Sequence, residues 1–301
     1  MTNTELAVGV DLGGTKIAAG VFDARGARRG ELAVEPACAD RPASATRDRL
    51  FAAIERALAS ASVGVESVLG IGIGSPGPLD PRAGKVLATP NLPQLDGFPI
   101  CAQVSERFGA PVELSNDGNC FALAEARVGA GEGHGVVLGI TMGTGCGVGI
   151  VINGQILEGP NASAGEVFLA RVGDRTYDDA LSGTGLERLW RERTGEQLAG
   201  VEVTRRAEAS DAIALEVFER FADQAALGLG NFVALLDPGV VVIGGSVATA
   251  FHLFGARLRA SLRQYVARPA CEHVEIVPTR LGRGAGAIGA AFLLFSGGRL
   301  A

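Results

Sequence analysis

The feature that most constrains this 301-residue chain is a strand-turn-strand pattern written twice. Gly9-Val10-Asp11-Leu12-Gly13-Gly14-Thr15-Lys16 carries an apolar strand into a glycine turn, and Gly139-Ile140-Thr141-Met142-Gly143-Thr144-Gly145 repeats it. Apolar runs follow both turns, at 17–22 and 149–152, and the second run ends at Asn153-Gly154. That pair suits a type I′ hairpin, whose central residues both take positive φ. Glycines in such a turn let backbone N–H groups surround an anion, because no Cβ blocks the approach. Taken alone, the first turn fits a tight hairpin with an exposed Asp11 as well as it fits a phosphate cradle.

The rest of the chain alternates strands with helices. Strands at 6–10, 17–22 and 31–34 form an opening meander, and Leu50, Ile54 and Leu58, spaced by four, predict an amphipathic helix over 47–62. A strand at 68–73 ends in Ser75-Pro76-Gly77-Pro78, and a second proline loop, Thr89-Pro90-Asn91-Leu92-Pro93, precedes a short helix at 100–108. The strand at 111–114 delivers Ser115-Asn116-Asp117 at its carboxyl end, with a helix following to about Val128. In the second half, helices are expected at 177–194, 209–236, 251–266 and 285–295. Strands at 240–243 and 274–277 stand between them, the first running into Gly244-Gly245. This alternation is the mark of an α/β fold.

Hydrophobic residues make up 47% of the chain and charged residues 20%, enough for a real core. A net charge of −6 without a basic stripe gives no footprint for nucleic acid. No apolar run reaches the roughly 18 residues of a membrane span. Met1-Thr2-Asn3-Thr4-Glu5 lacks the basic start of a signal peptide, so a cytoplasmic protein is expected. The five cysteines, Cys38, Cys101, Cys120, Cys146 and Cys271, are scattered and never spaced as C-x-x-C, which speaks against disulfides and thiolate metal sites. His134, His252 and His273 fall in no ligand or relay spacing, and Trp190 reads as packing beside Leu186 and Leu189.

Together the pieces suggest phosphoryl transfer. That reaction needs positioning, charge neutralisation through Mg²⁺ and a carboxylate to take the acceptor's hydroxyl proton. Asp11 stands at the mouth of the first turn, where a carboxylate would hold Mg²⁺ through water. Gly244-Gly245, after a strand and before a helix, is a third place where backbone can approach a ligand. Neither the P-loop run nor the dinucleotide fingerprint is present. Asp117 is the candidate base and Asn116 a two-way hydrogen-bonding group suited to sugar hydroxyls; the tripeptide by itself also reads as an Asx turn or helix cap.

These motifs resemble the ROK family of bacterial sugar kinases and related repressors, within the superfamily of hexokinase, actin and the Hsp70 ATPase domain. The likeness covers nearly the whole chain, from Asp11-Leu12-Gly13-Gly14-Thr15-Lys16 through Asn116-Asp117, Met142-Gly143-Thr144-Gly145 and Ala164-Gly165-Glu166 to Gly244-Gly245. It implies a two-lobed ribonuclease-H-like (actin-like ATPase) fold with a ligand cleft between the lobes. The small lobe would be 1–117, with a terminal helix in 285–301 packing back on it, and the large lobe 118–284. It implies an ATP-dependent hexose kinase acting at the 6-hydroxyl, with glucose as acceptor, or fructose, mannose or an N-acetylhexosamine. Asp117 would be the base. Pro76, Gly77, Asn91, Asn116 and Glu166 would lie on the sugar side, and Gly13, Gly14, Thr15, Lys16, Thr144, Gly145, Gly244 and Gly245 would bind ATP. A homodimer is expected by the same likeness.

One departure stands out. The family's Glu is typically followed by Gly-His and then by a cysteine cluster that binds zinc, whereas here Glu166-Val167-Phe168-Leu169 lacks the histidine and 171–185 holds no cysteine. No structural zinc is expected. Asp178 stands where zinc-free glucokinases of the superfamily place a sugar-contacting Glu, and the apolar Leu169 points to a sugar other than glucose or to a substituted carbon. A non-catalytic sugar sensor is the rival reading, but repressors of the family carry an amino-terminal helix-turn-helix extension, and here the first strand begins near Leu6.

Overall fold

In a computed structural model of the protein, which describes residues 5–295, the chain runs in order through β1 (Leu6–Leu12), β2 (Lys16–Asp23), β3 (Arg28–Pro36), α1 (Ala43–Ala61), β4 (Ile71–Ser75), β5 (Leu79–Asp80), β6 (Lys85–Val86), α2 (Ile100–Phe108), β7 (Val112–Asn116) and α3 (Asp117–Val128). It continues through β8 (Val136–Met142), β9 (Cys146–Ile152), β10 (Gln155–Ile156), β11 (Arg171–Val172), β12 (Arg175–Thr176), α4 (Tyr177–Ala180), α5 (Gly183–Thr194), α6 (Gly200–Glu208) and α7 (Ala212–Leu236). It finishes with β13 (Val240–Gly244), α8 (Phe251–Leu262), α9 (Arg268–His273), β14 (Glu275–Pro278) and α10 (Ala285–Phe292). The amino-terminal stretch 1–4 and the stretch 296–301 of the expected terminal segment lie outside the described residues.

The duplication written in the sequence is a duplication of topology. One five-stranded sheet has the order β3-β2-β1-β4-β7, and the other the order β10-β9-β8-β13-β14. In each, the central strand of the pattern (β1 or β8) has a parallel neighbour on one side, β4 or β13. Asp11 pairs with Gly74 near the end of β1, and Thr141 pairs with Gly244 near the end of β8. The two residues hold equivalent register positions, each beside a glycine of the next parallel strand.

The chain separates into two compact units. Of the described residues, the first comprises 5–133, Gly149–Glu166 and 280–295; the second comprises His134–Val148 and Val167–Thr279. In the first unit, α1 buries Leu50, Ala53, Ile54, Ala57 and Leu58 against β2 and β3, the stripe its four-residue spacing predicts. On the other side α10 lies so close to the sheet that glycine is required: a Cβ on Gly9 would collide with the Ala287 carbonyl, and one on Gly72 with that of Ala290.

The second unit packs its sheet against long helices. Phe221 and Phe254 meet edge to face at 5.3 Å, and Tyr177 sits 5.5 Å from Phe232. Trp190 is buried, as its neighbours Leu186 and Leu189 suggest, with the Arg206 guanidinium 5.0 Å above its ring. The helix expected over 177–194 is broken. Thr176 caps α4 by accepting from the Asp179 N–H, and Ser182 starts a new helix by accepting from the Gly185 N–H, so two cap residues close together stop and restart the backbone. The helix expected from 209 begins at Ala212, where the Asp211 carboxylate caps two N–H groups, and the short α6 precedes it. Cys120 and Cys146 are buried and the other three cysteines partly so, none in a disulfide. Among the described residues no helix is long and apolar enough to cross a membrane.

Candidate active site

In the first unit, three parallel strands end side by side and present polar residues. Asp11 comes from β1, Ser75-Pro76-Gly77 from the end of β4, and Ser115-Asn116-Asp117 from the junction of β7 and α3. Loops and helix starts at the carboxyl ends of parallel strands are where ligands collect in open α/β sheets.

Asn116 fills both roles its tripeptide suggests. Its Oδ1 accepts from the Gly118 N–H at 2.7 Å, capping α3, while its Nδ2 donates to Glu166 Oε1 at 2.7 Å. The same Gly118 N–H also reaches Asp117 Oδ1 at 2.8 Å. Gly77 backs onto this cluster: a Cβ there would collide with the Glu166 carboxylate and stand 3.1 Å from Asn116 Nδ2. Pro76 is buried behind it. Asn91 is exposed, and its backbone carbonyl would lie 2.9 Å from a Cβ on Gly14, so the second proline loop rests on the first glycine turn.

That turn is closed by the Gly13 N–H donating to the Lys16 carbonyl at 2.9 Å, which leaves Thr15 and Lys16 exposed. Asp11 sits behind it, with the first turn of α10 against its carboxylate at Gly286. Burial pushes the Asp11 carboxyl up to about 6; the charge of Asp117 adds to the rise and that of Lys16 opposes it. Glu166 is pushed up to about 7, first by burial and then by Asp117, with the Asn116 hydrogen bond opposing. Asp117 is itself raised by burial, against the pull of the Gly118 N–H. Three carboxylates with raised pKa values, two of them feeling the third, form the kind of cluster that active sites build.

The second unit holds the second glycine turn. The Gly143 N–H donates to the Gly145 carbonyl at 2.9 Å, and Thr144 is exposed at the tip. The segment around Ser182 braces the turn. Gly183 N–H donates to the Gly143 carbonyl at 2.8 Å, and Thr184 Oγ1 lies 3.5 Å from the Thr144 carbonyl. Asp178, expected on the sugar, has its Oδ1 on the Cys146 N–H at 2.7 Å, and a Cβ on Gly145 would stand 3.0 Å from its carboxylate. Burial raises the Asp178 carboxyl and the Cys146 N–H opposes this. Gly244 ends β13 beside Thr141, and Gly245, at φ 80°, packs so closely on Met142 that a side chain there would collide with backbone.

Beside Thr184 opens a cleft of about 530 Å³ that sequence reasoning did not assign. It is lined by Asp179, Thr184, Glu187, Arg188, Arg191, Gln197, Leu198 and Ala199. The available signal was the spacing of Thr184, Arg188 and Arg191 along one face of α5.

Comparison with known proteins shows the family of the chain. A family model described as the ROK family matches residues 7–296. An N-acetyl-D-glucosamine kinase of Pectobacterium atrosepticum is 34% identical over 95% of this chain and 97% of its own. The crystal structure of a ROK family glucokinase from Streptomyces griseus in complex with glucose and AMPPNP superposes with a TM-score of 0.82 at 30% identity, covering 96% of this chain and 98% of the other. A ROK hexokinase from Thermus thermophilus has a TM-score of 0.79 at 34% identity, covering 95% of this chain and 96% of the other.

Proposed function

The chain belongs to the ROK family and is an ATP-dependent sugar kinase, and we propose that it phosphorylates the 6-hydroxyl of N-acetyl-D-glucosamine. The observation that carries the reaction is the Asn116–Glu166 hydrogen bond with Asp117 beside it, an acceptor site in which two hydrogen-bonding groups flank a buried carboxylate. The relatives named N-acetyl-D-glucosamine kinase support the choice of acceptor. Glucose is the second reading, favoured by the likeness to the glucokinase bound to glucose.

In the proposed reaction Asn116 and Glu166 hold ring hydroxyls, with Pro76, Gly77 and Asn91 on the same side. Asp117 takes the proton of the 6-hydroxyl as its oxygen bonds the γ-phosphorus, and the bond from that phosphorus to the bridging oxygen breaks to release ADP. We assign ATP binding to both glycine turns: Gly13 closes the first turn and Gly14, Thr15 and Lys16 offer it N–H and cationic donors, and Thr144 and Gly145 offer N–H donors in the second. Gly244, Gly245 and the cleft beside Thr184 would take the nucleoside end.

Asp11 suits a divalent cation. It stands at the carboxyl end of β1 behind the first glycine turn, and a carboxylate there offers the hard oxygen donor that a hydrated divalent cation takes. Asp11 would hold, through water, the Mg²⁺ that accompanies ATP, and the ion would offset phosphate charge there. We place no structural zinc in the protein, because the histidine and cysteines of the family's site are missing from 167–185; one zinc per chain by elemental analysis would contradict this. A cytoplasmic homodimer, with hexose and ATP and no nucleic acid as partners, completes the proposal.

A panel of hexoses and phosphoryl donors, read by coupled ADP release and by product detection, tests it. N-acetyl-D-glucosamine with ATP is expected to give the highest kcat/KM. A higher value for glucose would select the second reading, and transfer only from polyphosphate would overturn the donor assignment.

A further inference from the structure

We propose that Glu158 is a positioning residue of the acceptor site, docking the loop that carries Glu166 onto the end of β7 through the hydroxyl of Ser115. The inference rests on the sugar-kinase reading of Asn116, Asp117 and Glu166.

β7 ends in two adjacent residues with different faces. Ser115 pairs with Gly74 and is fully buried, while Asn116 pairs with Ser75 and is partly exposed. Each bonds one glutamate of the same loop. Ser115 Oγ donates to Glu158 Oε1 at 2.7 Å, and Asn116 Nδ2 donates to Glu166 Oε1 at 2.7 Å. A buried hydroxyl deprived of its partner is costly, so the first of these bonds has a strong reason to persist. Asn119 Nδ2, one turn into α3 and also buried, lies 3.5 Å from the same Oγ. It approaches as a donor, which leaves the hydroxyl proton to Glu158.

The loop is organised around the same glutamate. Leu157 N–H donates to the Ile150 carbonyl at 2.8 Å, which starts the loop at β9. Ala164 N–H donates to the backbone carbonyl of Glu158 at 3.0 Å, closing the loop on itself just before Glu166, whose N–H donates to Ser163 at 3.2 Å. Glu158 thus closes the loop with its main chain and docks it with its side chain.

The two glutamate bonds differ in their exposure to an acceptor. A sugar hydroxyl held by Asn116 and Glu166 has the second amide hydrogen and the second carboxylate oxygen to bond, or replaces the bond between them. Ser115 is sealed from solvent and out of a ligand's reach. The Ser115–Glu158 bond therefore holds the loop that carries Glu166 whether or not an acceptor replaces the Asn116–Glu166 bond. Its contribution appears in acceptor affinity, and the nucleotide side is untouched.

The test compares Glu158→Ala, Glu158→Gln and Ser115→Ala with the unaltered protein, measuring kcat, KM for the acceptor, KM for ATP and the melting temperature. Glu158→Ala and Ser115→Ala are each expected to raise the acceptor KM about tenfold, with KM for ATP within about twofold. Glu158→Gln keeps an oxygen that accepts from the hydroxyl and is expected to restore the acceptor KM to within about threefold of the original. The double variant should be no worse than either single one, because both remove the same bond. An unchanged acceptor KM in Glu158→Ala would overturn the proposal, as would a Glu158→Gln as impaired as the alanine or an equal rise in both KM values. If Glu158→Ala does not fold, Ser115→Ala removes the bond from the other side by a single oxygen and decides the matter. Failure of the kinase reading is seen separately, as an unaltered protein that phosphorylates no sugar.

Discussion

Asn116 Nδ2 donates to Glu166 Oε1 at 2.7 Å while Asn116 Oδ1 caps α3. One amide therefore fixes both the start of the helix that carries Asp117 and the carboxylate that faces it. Because the amide is held at both ends, its orientation is set by two partners rather than by rotamer preference. The charges around it are coupled: Asp117 raises the pKa of Glu166 and of Asp11.

This coupling predicts a pH dependence. Carboxyls whose pKa rises on folding bind protons more tightly in the native state, so stability is greatest below the ordinary carboxylate range. It falls as pH rises through that range toward about 7, the value for Glu166, and levels above it. Asp117→Asn removes the shared like charge and one titrating group, which lowers the Asp11 and Glu166 values. Urea midpoints compared at about pH 5 and about pH 8 should differ less in Asp117→Asn than in the unaltered protein. Equal differences would contradict the coupling.

The close seat of α10 predicts a stability defect. Gly9→Ala puts a methyl group into the Ala287 carbonyl and 2.8 Å from the Ala291 nitrogen. Overpacking of this kind costs about 1–3 kcal/mol. Urea unfolding should show that loss, and a midpoint unchanged from the original would mean that α10 is not held against β1.

Asp178 predicts a split between the two substrates. Its carboxylate holds the Cys146 N–H at the end of the second glycine turn. Asp178→Ala is therefore expected to raise KM for ATP about tenfold with the acceptor KM little changed, and Asp178→Asn, which still offers an accepting oxygen, to fall within about threefold of the original. A rise confined to the acceptor KM would put Asp178 on the sugar instead, the position its place in the sequence suggests.

What the sequence makes legible here is whatever depends on local pattern. The glycine turns, the Asn153-Gly154 hairpin and the four-residue stripe of α1 are short-range signals, and the structure contains all of them. The duplication is legible because both copies keep the same order of apolar strand and glycine turn, and it reappears as one strand order used twice. The break between α4 and α5 is written in Thr176 and Ser182, but an apolar rhythm running across them masks the caps. Glu158 carries no local signal at all: its partner Ser115 is 43 residues away, and only the folded loop brings them together. The Asp178 bond to the Cys146 N–H spans 32 residues and is equally silent in the local sequence.

The central claim is that Asp117 takes the acceptor's proton, and the kcat of Asp117→Ala with N-acetyl-D-glucosamine and ATP tests it most directly. A positioned general base contributes about a hundredfold to ten-thousandfold, so turnover should fall by about a thousandfold while ATP affinity, measured by direct titration, stays within about threefold. A kcat close to that of the unaltered protein would contradict the account.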